Sequence, residues 1–155
     1  MNVIGLDLSL SNTGLAVYSP TSETVVASMD IPSDPTMPLA ARIHHIVGVI
    51  DAAIEEHDPI AVYSEGIVVI SHGEGSIKTA IALSKLHGAV ELTVYERLML
   101  VVDPLAPTTV KKFATGSGGA DKEAMRTAAR RRFDMDVSHD VADALFVALC
   151  GVSRR

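Results

Sequence analysis

Apolar and polar residues alternate from the start of the chain. Ile4, Leu6, Leu8 and Leu10 stand against Gly5, Asp7 and Ser9, the period-2 pattern of a β-strand. The "SNTG" that follows carries turn chemistry. Residues 14–19 and 24–30 then read as two further strands, making an antiparallel meander with short connections. After a proline-rich breaker at 32–38 the period changes. Leu39, Ile43, Ile46, Val47, Ile50 and Ile54 fall on one face of a helix that ends near Glu56. A fourth strand over 59–66, a glycine-rich loop over 71–76, a long helix over 77–97 and a fifth strand over 99–103 follow. The remainder reads as helices over 108–113, over 121–133 and from residue 139 onward.

Three meandering strands, then helix–strand–helix–strand, then helices, predict an α/β domain with a five-stranded mixed sheet flanked by helices. Right-handed crossover connections place the fourth strand parallel to the first and beside it. This is the element order of a ribonuclease H-like fold, in one domain over residues 1–155. The hydrophobic share of 48% and charged share of 21% belong to a globular chain. No apolar run reaches the length of a membrane span, and the N-terminus lacks the pattern of a signal peptide. Cys150 is the only cysteine, which rules out a disulfide framework or a thiolate zinc site. A cytoplasmic protein is expected, with Cys150 in the core. The net charge of −6 conceals an uneven distribution, with cations gathered in the last third from Lys111 to Arg155.

That asymmetry matters because of where the acids fall. An ionised carboxylate in an apolar strand, such as Asp7, is costly to desolvate unless something pairs with it. Asp7 comes late in the first strand and Glu65 at the end of the fourth, so parallel neighbours would bring both to the carboxyl edge of the sheet. The last helix, "HDVADALFVAL", is apolar except at its start, where Asp140 and Asp143 lie three apart on one face. Unit charges ~4 Å apart repel by ~4 kcal/mol at an effective dielectric of ~20. Such a cluster calls for a cation, and an all-oxygen donor set suits Mg²⁺ or Mn²⁺. Two such ions ~3.5–4 Å apart support phosphodiester hydrolysis. His139 lies beside Asp140, near the expected metals, and His72 in the glycine-rich loop is placed to touch substrate. "GSGG" at 116–119 lacks the GK[ST] of a phosphate-binding loop.

Taken together, these motifs resemble the RuvC family of Holliday-junction resolvases over nearly the whole chain. "IGLDLSLSNTGLAV" resembles that family's opening hairpin and "IAVYSEG" its second catalytic strand. "VKKFATGSGGADKEAM" is similar to its basic segment, and "HDVADALFVAL" to its terminal D-x-A-D-A-L motif. The resemblance implies Asp7, Glu65, Asp140 and Asp143 as metal-holding catalytic acids for two Mg²⁺ ions, with Mn²⁺ as substitute, and Lys111 and Lys122 as functional lysines. Lys122 joins the catalytic set, and Lys111, Lys112, Lys122 and Arg126 are expected on DNA. The implied activity is paired, symmetric nicking of four-way junctions by a homodimer. One departure concerns the loop after Glu65: "EGIVVI" places Val68 where the family commonly has an aromatic, leaving Val68 and Val69 as aliphatic wedges toward DNA. The chain also stops soon after its last helix, like compact bacteriophage members.

The long helix bears two apolar stripes, Ile77, Ile81 and Leu92 on one and Ala82, Leu83, Leu86, Ala89, Val90 and Val94 on the other. One stripe covers the sheet. The second is expected to meet a two-fold copy, with Leu86, Ala89 and Val90 at the interface. Other readings are a nuclease of broader branched-DNA specificity (flap, fork or three-way junction), a YqgF-type nuclease, and a DNA-binding module without catalysis. An actin-like ATPase fragment would need a second lobe, for which 155 residues leave no room.

Overall fold

The computed structural model describes residues 1–67 and 74–154, with side chains described from residue 77 in the second segment. Strands β1 (Asn2–Asp7), β2 (Asn12–Ser19), β3 (Thr24–Pro32), β4 (Pro59–Glu65) and β5 (Asp103–Leu105) form one sheet in the order β3-β2-β1-β4-β5. The first three are antiparallel, whereas β1, β4 and β5 run parallel. The mixed five-stranded sheet, with β4 beside β1, is the arrangement the element order predicts.

Strand alternation divides the core in two. Ile4 and Leu6 of β1, Leu15 and Val17 of β2 and Val62 of β4 meet helices α1 (Leu39–His57) and α2 (Glu74–Leu98). On the other face, Val3, Ala16, Tyr18, Ala61 and Tyr63 meet α3 (Pro107–Thr115), α4 (Lys122–Phe133) and α5 (His139–Ser153). The same parity assigns Asp7 and Glu65 to the α5 face, two residues beyond Gly5 and Tyr63. Cys150 is buried on this side, as expected.

Helix α5 lies very close to the sheet because glycine stands at its points of contact. A Cβ on Gly14 would come within 2.0 Å of the Asp140 carbonyl oxygen, and one on Gly5 within 2.2 Å of that of Ala144. On the helix itself, a Cβ at Gly151 would meet the Tyr63 ring at 2.4 Å. Helix ends are fixed by side chains: Asp121 accepts from the Ala124 amide at 2.8 Å at the start of α4, and Ser138 from the Val141 amide at 3.1 Å at the start of α5.

Two expectations are corrected. The fifth strand forms at Asp103–Leu105 rather than 99–103. Met99 closes α2 with φ of 55° and Val101 is 80% exposed, while Leu100 and Val102 pack against the α1–α2 side of the core, so the apolar "MLVV" docks on the core without pairing as a strand. The stripes of α2 are also exchanged. Leu86, Val90 and Val94 are fully buried against α1 and the sheet, so Leu86 and Val90 cannot form a contact between copies. Ala89 is half-buried beside them. The outward face carries Ile77, Ile81, Leu92 and Tyr95, all about half exposed, with Gly88 between them.

The close approach of α5 predicts a specific fragility. Gly14→Ala would push a methyl group into the main chain at Asp140, which cannot yield as a flexible side chain would. We expect a loss of about 1–3 kcal/mol, measured by denaturant unfolding, whereas Gly88→Ala, inside α2 where a Cβ meets nothing within 4 Å, should stabilise by up to about 1 kcal/mol.

Candidate active site

Three separate elements deliver the acids to one edge. Asp7 ends β1 and Glu65 ends β4, and the parallel register that pairs Leu6 with Ser64 carries them out side by side. Asp140 and Asp143 lie in the first turns of α5, which Gly14 admits directly over the start of β2, opposite Asp7.

Burial and mutual repulsion govern their protonation. Burial pushes Asp7 up to about 8, and the charges of Glu65, Asp143 and Asp140 add to the shift while Lys122 opposes it. Glu65 is pushed up to about 7 by burial and by Asp143, against the pull of Lys111. Asp143 rises to about 6, again mainly through burial, with Lys111, His139 and Lys122 opposing. Lys111 and Lys122 therefore stand close enough to stabilise the ionised acids.

Asp140 is held differently. Its Oδ2 accepts from Asn12 Nδ2 at 2.5 Å, and its Oδ1 lies 2.9 Å from His139 Nε2. Lys122 Nζ is also 2.9 Å from that nitrogen. A single ring nitrogen serves one of these neighbours at a time, accepting from the ammonium or donating to the carboxylate. The sequence singled out His139 only by adjacency; here its Nε2 lies within hydrogen-bond reach of both the lysine and the acid.

The four acids sense one another, yet among the described residues no three His, Cys, Asp or Glu side chains close on a common point. The residues nevertheless fit a hard divalent cation. Among the described residues Asp143 Oδ1 is buried without a hydrogen-bond partner, and the surrounding donors are carboxylate oxygens.

The other expected contacts divide. Lys111 and Lys122 face the acids. Lys112 is exposed on α3. Arg126, also expected on DNA, donates to the Val137 carbonyl at 3.0 Å, to Glu123 at 3.4 Å and to Asp136 at 3.2 Å, tying α4 to the turn before α5 while its side chain stays 39% exposed. Val68, Val69 and His72 lie outside the described residues. Sequence reasoning missed Asn12 and Asp30. Both are polar and stand at strand ends on the α5 face, a parity visible once the side of the sheet that meets α5 is known.

The profile of the crossover junction endodeoxyribonuclease RuvC family matches residues 3–151. The crossover junction endodeoxyribonuclease RuvC of Erythrobacter litoralis is 32% identical over 157 residues, covering 99% of this chain and 93% of that protein. That of Myxococcus xanthus is 33% identical, covering 97% of this chain and 79% of that protein. The structure of Thermus thermophilus RuvC in complex with Holliday junction substrate superposes with a TM-score of 0.80 at 23% identity, over 98% of this chain and 93% of that one. The shared architecture is a ribonuclease H-like nuclease fold. This chain belongs to the RuvC family of crossover junction endodeoxyribonucleases. Both sequence relatives are bacterial, and nothing in them supports the bacteriophage-type form suggested by the short C-terminal end.

The raised acids set a pH dependence. Between the ordinary carboxylate range and about 8 the folded cluster holds more protons than the unfolded chain, so ionising it opposes folding. We expect the metal-free protein to lose thermal stability as pH rises from about 5 to 8, and added Mg²⁺ to restore more at pH 8 than at pH 5. Scanning calorimetry with and without chelator reads both effects. A metal-free melting temperature that rises steadily over this range would contradict the cluster as described.

Proposed function

We propose that this chain resolves four-way DNA junctions as a homodimer that depends on Mg²⁺, with Mn²⁺ as substitute, each protomer cutting one strand. The observation that carries the reading is the placing of three part-buried carboxylates, Asp7, Glu65 and Asp143, from three elements at one sheet edge, with a buried oxygen on Asp143 that has no hydrogen-bond partner among the described residues and two lysines alongside. Asp7, Glu65, Asp140 and Asp143 would hold the ions. When bound, two divalent ions supply an activated water and charge stabilisation for the leaving oxygen.

The chain's own residues do the rest. Lys111 offsets the charge of Glu65 and Asp143, and Lys122 that of Asp7 and Asp143. Both lysines offer ammonium groups to a phosphate backbone, a sequence-independent attraction that weakens with salt. Lys112, exposed on the same helix, extends that surface. No described helix is long and apolar enough to cross a membrane. A cytoplasmic setting with access to DNA suits the reading.

Asp143→Asn removes a ligand charge while leaving the basic surface intact. We expect it to lower single-turnover cleavage of a four-way junction at least 100-fold with junction affinity within a few-fold of wild type, read by gel-resolved cleavage and binding in parallel. Excess chelator should abolish cleavage by the wild type. Matched three-way, flap and fork substrates test the broader specificity that the aliphatic "IVVI" after Glu65 suggests. Equal rates on all four would favour that second reading.

Two incisions in one binding event need two sites, and this chain supplies one acidic cluster. The outward face of α2, with Ile77, Ile81, Leu92 and Tyr95, is the surface we assign to the two-fold contact. Ile81→Glu with Leu92→Glu should give a folded monomer that nicks a cruciform plasmid without linearising it. Light scattering reports the mass, and the plasmid gel reports the product. A wild type that is monomeric at micromolar concentration and still linearises the plasmid in one encounter would remove the dimer from the proposal.

A further inference from the structure

We propose that Asn12 is a positioning residue for Asp140, set in a polar clamp with Asp30 and Ser138 that orients the first turn of α5 over the sheet edge. The inference rests on the reading of Asp140 as a metal ligand. Asn12 opens β2 opposite Pro32, and Asp30 lies two residues before Pro32 on β3, opposite Gly14, so the two are diagonal neighbours on the face that meets α5. Asn12 Nδ2 is 2.6 Å from Asp30 Oδ1 and 2.5 Å from Asp140 Oδ2. Both partners are carboxylates that accept, so the nitrogen end of the amide must face them, giving one hydrogen to each. Asp30 Oδ1 also accepts from Ser138 Oγ at 2.7 Å, and Ser138 caps α5 through the Val141 amide. One carboxylate on β3 therefore fixes both the cap of the helix and the amide that holds the helix's first acid.

The chemistry explains why asparagine stands there. Two nearby carboxylates need a shared donor with two hydrogens. Serine would offer one hydrogen, aspartate none, and lysine would add a charge beside the metal site. Asn12 holds Oδ2 and leaves Oδ1 as the oxygen turned toward His139 Nε2, and the two contacts together fix the orientation of the Asp140 carboxylate. The Asp140 side chain is 15% exposed and sits at a helix start, where freedom about its torsions would otherwise have to be lost on binding an ion.

The test measures Mn²⁺ binding to the metal-free protein by calorimetry, beside melting temperature and Mn²⁺-dependent junction cleavage. Asn12→Ala should weaken Mn²⁺ binding about tenfold, with cleavage recovering toward the wild-type rate as Mn²⁺ is raised. Asn12→Asp, equal in size but without a donor, should lose more. If Asn12→Ala does not fold, Asn12→Ser carries the same comparison, with an intermediate loss expected. Asp30→Ala should weaken binding in the wild type and weaken it less in an Asn12→Ala background, where only its hold on Ser138 remains to be lost. Wild-type Mn²⁺ affinity in folded Asn12→Ala or Asn12→Ser, alongside lost affinity in Asp140→Asn, would overturn the positioning role. Unchanged affinity in Asp140→Asn would instead overturn the assignment of Asp140 as a ligand, and this proposal with it.

Discussion

The contact on which the structure depends is that of α5 with the sheet, backbone against backbone. Helices usually rest on sheets through a layer of side chains. Here Gly14 on β2 and Gly5 on β1 remove that layer at successive points along the helix, and further on Gly151 makes room for the Tyr63 ring of β4. The helix crosses three strands diagonally, and its first turn is brought down at the edge where β1 and β4 end. Ordinary side chains at those glycines would hold the helix further off and separate its acids from Asp7. Packing and acidic cluster are in this sense one feature, because the same closeness that builds the core concentrates the charge.

That concentration works against the fold. Asp7, Glu65 and Asp143 are all held above the ordinary carboxylate range, mainly because they are buried. The lysines offset only part of the cost, and they come from outside the sheet, Lys111 from α3 and Lys122 from the first position of α4. The apolar core on both faces of the sheet supplies the stability that this edge lacks. Arg126 contributes at a distance from the acids, holding the turn before α5 through Val137 and Asp136.

Much of this was legible in the sequence, where periodicity and buried charge speak together. Strand alternation identified β1 through β4, and the crossover rule placed β4 beside β1. Asp7 and Glu65 then followed from their position in those strands. The acids of α5 stood out because the rest of the helix is apolar. Errors arose where one pattern permits two outcomes. Both faces of α2 carry apolar residues, and spacing alone does not say that Leu86 and Val90 face the sheet while Ile81 and Leu92 face out. "MLVV" has the composition of a strand, but the chain leaves α2 through a left-handed residue at Met99 and joins the sheet only at Asp103. Asn12 and Asp30 went unnoticed because polar residues beside turns are ordinary; their meaning comes only from α5 lying above them.

The glycine contacts also limit how the chain can change in length. Residues 140, 144, 148 and 151 touch the sheet at spacings of one helical turn, each at a place where the fit allows no extra atom. Inserting or deleting one residue within α5 would turn everything beyond it by about 100° and slide it by about 1.5 Å. Either the aspartates or the small residues would then lose their seats. The turn over 134–137 carries no such constraint from glycine. A change of length there would disturb the contacts of Arg126 with Asp136 and Val137 but no glycine fit, whereas between Asp140 and Gly151 the count of residues is itself part of the site.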